Sequence, residues 1–227
     1  MMNRMLIVNM KNYTEASKSQ AVRMAQAAGR ASKRYGVAVA IAPPMGMLSE
    51  MAGLHDTVFA QHLDNVGIGS TTGYAIPEIM KSMGVTGALI NHSEHRIPEQ
   101  DIVALVDRLR KLGMTSVVCV KDIEETKRYA RLNPDYIAIE PPELVGSGRA
   151  VSKERPELVM SAVEVVRKAG GATRLLCGAG IQSADDVTRA MELGSDGVLA
   201  ASRIIMAEDP CAKIEEFAAA MSAKGRK

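Results

Sequence analysis

Asp135-Tyr136-Ile137-Ala138-Ile139-Glu140-Pro141-Pro142-Glu143-Leu144-Val145-Gly146-Ser147-Gly148 joins an apolar run to a carboxylate, and the carboxylate to a segment of uneven stiffness. The run reads as a strand with Glu140 at its carboxyl end. Two prolines stiffen the chain just after it, Leu144 and Val145 make an apolar tip, and Gly146 and Gly148 loosen the far end. Such a segment reads as a lid that swings as a unit, excluding water from whatever the carboxylate acts on. A lone strand-end carboxylate is more often structural, and the lid is what raises Glu140 above that reading.

Outward from this stretch the same unit recurs: an apolar run, a short loop, an amphipathic helix, a glycine, then the next run. The spacing predicts strands at residues 5–9, 37–42, 57–61, 86–90, 115–120, 135–139, 174–177 and 196–199. Near-continuous apolar runs such as 37–42 indicate burial on both faces, as in parallel sheets. Between them, Ile102, Leu105, Val106, Leu109 and Leu112 fall at helical spacing, and Leu158, Ala162, Val165, Val166 and Ala169 repeat it. Gly36, Gly84, Gly113, Gly170 and Gly194 mark helix ends, and Pro98 and Pro156 mark helix starts. Eight strands alternating with helices allow a closed (β/α)8 barrel or an open doubly wound sheet. No GxGxxG follows the first strand, which weakens a dinucleotide fold. No linker or low-complexity stretch divides residues 1–227, so one domain is expected.

Composition narrows the classes further. With 47% hydrophobic residues a sizeable core is available, and with no Trp and two Phe the fifteen Met must fill much of it. A formal charge of +2 is too mild for a nucleic-acid partner, and the basic stretches 30–34 and 108–111 lie where helix C-termini favour cations. Cys119, Cys177 and Cys211 are odd in number without CxxC spacing. The six mainly apolar residues between Arg4 and Lys11 are too few for a signal peptide or a membrane span. The expectation is a protein of the reducing cytoplasm, with no membrane partner.

In a barrel the working face lies at the carboxyl ends of the strands. There the sequence offers Asn9-Met10-Lys11 after the first strand and Asn91-His92-Ser93-Glu94-His95-Arg96 after the fourth. Glu140 and its lid follow the sixth, Gly178-Ala179-Gly180 the seventh, and Ala200-Ala201-Ser202 the eighth. Lys11 reads either as an ordinary exposed lysine or as a fixed cation facing an anion. Asn9 reads as a turn residue or as a partner of Lys11 or of a substrate. Ser93-Glu94 reads as a helix start, which would disfavour an imidazolium at His92 and leave a neutral ring able to polarise a carbonyl. Gly178, Gly180, Ala201 and Ser202 can present backbone N–H groups to an anion.

Taken in order, these segments resemble the triosephosphate isomerase family. Asn-x-Lys, Asn-His-Ser-Glu and Glu-Pro-Pro-Glu-Leu-Val-Gly-Ser-Gly are similar to its strand-end motifs, and the Cys-Gly-Ala-Gly-Ile and Gly-Val-Leu-Ala-Ala-Ser runs to those of its short archaeal members. The likeness is collinear from Asn9 to Ser202. It implies a single-domain (β/α)8 barrel that interconverts dihydroxyacetone phosphate and glyceraldehyde 3-phosphate through an enediolate, with no metal or organic cofactor. It implies Glu140 as base, His92 as the neutral electrophile, and Lys11 with Asn9 as stabilisers of negative charge, a pairing for which this family is itself the standard example. Val145, Gly146, Gly178, Gly180, Ala201 and Ser202 would then hold the substrate. The segment 67–74 resembles the protruding third loop that docks on a neighbouring subunit, which implies a homo-oligomer, dimer or tetramer. Another phosphate-using barrel isomerase and a non-catalytic scaffold are the rival readings. The chain departs from the family at His95, usually Arg, at Tyr74, and at Lys121-Asp122, where Gly-Glu is common.

Overall fold

A computed structural model describes residues 4–16 and 18–222. Eight strands, β1 (Met5–Asn9), β2 (Ala38–Ala42), β3 (Phe59–Ala60), β4 (Gly87–Ile90), β5 (Thr115–Val120), β6 (Tyr136–Ile139), β7 (Arg174–Cys177) and β8 (Gly197–Ala200), form one parallel sheet. The order β2-β1-β8-β7-β6-β5-β4-β3 makes every pair of chain neighbours adjacent except β2 and β3 at the ends. These ends meet through a bridge between Ile41 and Val58, with the Ile41 N–H donating to the Thr57 carbonyl at 3.1 Å. The sheet therefore closes into a barrel, and the open alternative is set aside. The expected third strand shrinks from five residues to two, because only Phe59 and Ala60 hold ladder register with β4.

Each crossover is helical: α1 (Lys18–Tyr35), α2 (Leu48–Ala52), α3 (Pro77–Ser82), α4 (Glu99–Leu112), α5 (Ile123–Ala130), α6 (Val151–Glu154), α7 (Pro156–Lys168), α8 (Ala184–Glu192), α9 (Ser202–Ile205) and α10 (Pro210–Met221). The termini follow local chemistry. Asp122 caps α5 by accepting from the Glu125 N–H at 2.8 Å, and Ser183 with Asp186 forms a capping box on α8. Gly113 closes α4 at φ 63°, a conformation that penalises any residue with a Cβ. The basic residues expected at helix ends are there: Lys33 and Arg34 in α1, Arg110 and Lys111 in α4.

Strand alternation divides the interior into two layers. Met5, Ile7, Phe59, Leu89, Val117, Cys119, Tyr136, Leu176 and Leu199 fill the barrel lumen. Leu6, Val8, Ile41, Val118, Ile137 and Val198 point outward into the layer between strands and helices. The lumen admits the Phe59 ring because Gly87 has no side chain: a Cβ there would lie 2.6 Å from it. Met10, Met24, Met51, Met80, Met114, Met191 and Met221 are buried gap fillers in the outer layer.

On α4 the expected stripe holds, with Ile102, Leu105, Val106 and Leu109 buried. On α7 it is displaced: Val159, Ala162, Val163 and Val166 are buried, whereas Leu158 and Val165 are half-buried and Ala169 is exposed. That helix carries apolar residues around much of its circumference, so helical periodicity fits two phases. Packing against α5 and β7 selects one of them.

Candidate active site

The carboxyl ends of the strands bring every singled-out residue to one rim. At the end of β1, buried Asn9 accepts the Lys11 N–H on Oδ1 at 3.0 Å, an Asx turn that holds Lys11 at φ 47°. Asn9 is thus both a turn residue and a partner of Lys11. Gln61 fixes the same turn from β3's end, donating to the carbonyls of Lys11 and Ala42 at 2.9 Å each. The Lys11 ammonium reaches the Glu94 carboxylate at 2.6 Å. Gln61 and Glu94 escaped the sequence reading because their partner lies far away along the chain.

At the end of β4, Asn91 takes a left-handed conformation, φ 64°, and its side chain bridges two neighbours. It donates to the Cys119 carbonyl at 3.1 Å and accepts the Ile97 N–H at 3.2 Å. Residues 92–95 then make a turn closed by the His95 N–H on the His92 carbonyl at 2.8 Å. The expected helix start at Ser93-Glu94 is therefore corrected: α4 begins only at Glu99, because Pro98, whose nitrogen carries no hydrogen, precedes it. The Glu94 N–H donates to His92 Nδ1 at 3.2 Å, so that nitrogen carries no proton. With Nδ1 accepting, the ring hydrogen belongs on Nε2.

His92 Nε2 faces Glu140 Oε1 at 3.6 Å. Glu140 is 1% exposed, and neither of its carboxylate oxygens has a hydrogen-bond partner among the described residues. Burial raises its proton affinity above the ordinary carboxyl range, opposed by His92, Cys119 and Lys11. Gly178 makes the room: a Cβ there would lie 2.5 Å from Glu140 Cγ and 2.9 Å from Oε1. Burial also pushes the Cys119 thiol well up, and the Glu140 carboxylate beside it pushes in the same direction.

The lid leaves Glu140 through Pro142–Leu144, a single tight turn, with Leu144 buried beneath. Gly146 and Gly148 have φ of 71° and 74°. Its far end is bolted to the seventh loop: the Val151 N–H donates to the Ala179 carbonyl at 3.1 Å, and a Cβ on Gly180 would stand 1.8 Å from the Arg149 carbonyl oxygen. Beneath this segment lies a pocket whose walls include Lys11, His92, Val145, Gly146, Gly178, Gly180, Ala201 and Ser202. Ala200 completes it together with Ile181, Gln182 and Leu199, and those last three were not foreseen. Asn9 lines an adjoining lobe that shares Lys11 and His92. Among the described residues no group of three or more His, Cys, Asp or Glu is arranged to hold a metal ion.

The family model of triosephosphate isomerase matches residues 4–220. The chain belongs to the triosephosphate isomerase family. Among its curated relatives, the triosephosphate isomerase of Cenarchaeum symbiosum is 55% identical over 96% of this chain and 97% of its own length. Those of Methanosarcina acetivorans and Methanocaldococcus jannaschii are 40% and 39% identical over 93% and 94% of this chain, and over 96% and 98% of theirs. The departures from the family pattern now have places. His95 stacks on His62 with ring centroids 3.9 Å apart, Asp122 is spent on capping α5, and Tyr74 is 52% exposed.

Proposed function

We propose that the chain, as one barrel domain, interconverts dihydroxyacetone phosphate and glyceraldehyde 3-phosphate. The observation that carries this reading, beside family membership, is a pair at the cavity wall: the His92 imidazole, which lines it, and behind it the buried Glu140 carboxylate, whose oxygens have no hydrogen-bond partner among the described residues. Glu140 removes the proton from the carbon beside the carbonyl and returns it to the neighbouring carbon. Desolvation makes it a stronger base than an exposed carboxylate. His92, through Nε2–H, polarises the carbonyl and moves a proton between the two oxygens of the enediolate. Lys11 supplies a fixed positive charge beside that oxyanion, and Asn9 holds its turn. Backbone N–H groups of Gly180, Ala201 and Ser202 receive the phosphate, and Val145 and Gly146 bring the lid over it; Gly178 lines the pocket but its own N–H donates to the Ile139 carbonyl at 3.0 Å.

We also propose a homo-oligomer, a tetramer or a dimer, in the cytoplasm. Support comes from the exposed segment 67–74, in which Ile68 is 65% and Tyr74 52% exposed. None of the described helices is long and apolar enough to cross a membrane. The test is turnover of glyceraldehyde 3-phosphate by the purified protein, coupled to NADH oxidation. Glu140→Gln is expected to fold and to lose at least about 10³-fold in kcat. Near wild-type turnover by that variant removes Glu140 as the base, and no turnover by the wild type removes the reaction.

A further inference from the structure

Nothing in the proposed reaction uses Glu125, which sits in the first turn of α5 and lines neither lobe of the cavity. Its carboxylate is nonetheless mostly buried, with a side chain 12% exposed, and it is held from two sides. The Arg96 guanidinium pairs with Oε1, and the Lys121 N–H donates to Oε2 at 3.0 Å. The Lys121 ammonium stands 3.9 Å from Oε1.

Arg96 carries this anchor to the rim. Its Nη1 donates to the Asn91 carbonyl at 3.4 Å, and that carbonyl belongs to the peptide unit joining Asn91 to His92. Rotation of that peptide alters ψ of Asn91 and φ of His92 together, and so swings the imidazole. Asn91 is already at φ 64°, a region that a residue with a Cβ occupies only when its surroundings insist. We infer that Glu125 is a positioning residue for His92, acting through the Arg96 guanidinium and the Asn91–His92 peptide. The inference rests on the isomerase reading of the site.

Asp122 is not a substitute for Glu125 in this role. Its Oδ1 accepts the Glu125 N–H at 2.8 Å, so it is committed to the cap of α5. The carboxylate that Arg96 reaches therefore lies one turn further along the helix. Arg96 and Glu125 are 29 residues apart, so the link exists only when the ends of β4 and β5 lie side by side.

The consequence is a loss in turnover without a loss in binding, since Glu125 touches no substrate. Glu125→Gln keeps the shape of the side chain and removes its charge. It is expected to lower kcat about 10-fold and to leave KM within about 2-fold, the pattern of an interaction made in the transition state. Glu124→Gln, whose carboxylate is 77% exposed on the same helix, serves as control and is expected to keep wild-type kcat. Arg96→Met should lower kcat to a similar extent, and the double variant should be no slower than the worse single one, because both break one chain. The ¹⁵N shifts of His92 should change from the pure Nε2–H form of the wild type to a mixture in Glu125→Gln.

Unchanged kcat and unchanged His92 shifts in a folded Glu125→Gln protein would overturn the inference, as would strictly multiplicative losses in the double variant. A wild-type protein that fails to isomerise triose phosphate would instead overturn the proposed function, so the two failures are distinct.

Discussion

His92 and Glu140 face each other across 3.6 Å, yet the barrel treats them in opposite ways. Around His92 the positions are fixed. Asn91 before it is braced at both polar ends, its own Nδ1 receives a backbone N–H, and its carbonyl closes the following turn. Around Glu140 neither oxygen has a hydrogen-bond partner among the described residues that meets ordinary geometry, and Gly178 leaves the room its side chain occupies. The contrast matches the two tasks. An electrophile must keep one tautomer and one direction, which hydrogen bonds secure. A base that takes a proton from carbon needs a high proton affinity, and hydrogen bonds to the carboxylate would lower it.

The most damaging way to break this contrast is to move the unheld partner. Glu140→Asp withdraws the carboxylate by about 1 Å, and kcat is expected to fall about 10³-fold with little change in inhibitor affinity. A fall of less than about 10-fold would mean that the position of the carboxylate matters little. Filling its space is the next test. Gly178→Ala places a Cβ 2.5 Å from Glu140 Cγ, and steady-state kinetics should record a loss of about 10²-fold in kcat.

The held partner yields a smaller and more divisible effect. Asn91→Ala loses the side-chain braces and keeps a Cβ at φ 64°, so denaturant unfolding should register a loss of about 2 kcal/mol and kinetics a drop of about 10-fold. Asn91→Gly loses the same braces but accepts the backbone angle. It should match the alanine variant in kcat while recovering about 1 kcal/mol of the conformational cost. If the two are equally unstable, the left-handed angle is not what Asn91 supplies.

The smallest effect is on stability and has a definite sign. Burial raises the Glu140 pKa in the folded protein above its ordinary 4.5, so the folded state binds this proton more tightly than the unfolded chain. The favourable contribution is complete below 4.5 and is lost as pH rises through the folded value. Glu140→Gln, which cannot ionise, should therefore melt higher than wild type at neutral pH, and the difference should vanish below pH 4.5. Thermal melts across that range check it, and a lower melting temperature for Gln at pH 7 would mean that the carboxylate gains more from its neighbours than burial costs it. In turnover, the same raised pKa places the acid limb of kcat/KM above the ordinary carboxyl range.

Much of this was written into the chain. Strand-length apolar runs, helical stripes and the glycines between them made the repeat legible, because each reports a local requirement of burial or backbone angle. The order of strand-end motifs then placed Asn9, Lys11, His92, Glu140 and the seventh and eighth loops on one rim. Local signals failed where two local solutions were equally good. On α7 two buried stripes fit the periodicity and packing chose between them. At Ser93-Glu94 the residues suit a helix start and equally a turn, and Pro98 moved the helix onward.

What the sequence alone determined is thus the set of parts: eight strand-helix units, a histidine next to a turn, and a carboxylate ahead of a loop stiffened by prolines and loosened by glycines. What only the tertiary structure decided is how distant parts act on one another. The seam from Ile41 to Val58 closes the barrel, Gly180 must be bare because the Arg149 carbonyl passes over it, and Lys11 meets Glu94 across 83 residues. Such links leave no periodicity or spacing in the chain, since a contact between segments depends on the closure of the whole sheet and not on the residues beside it.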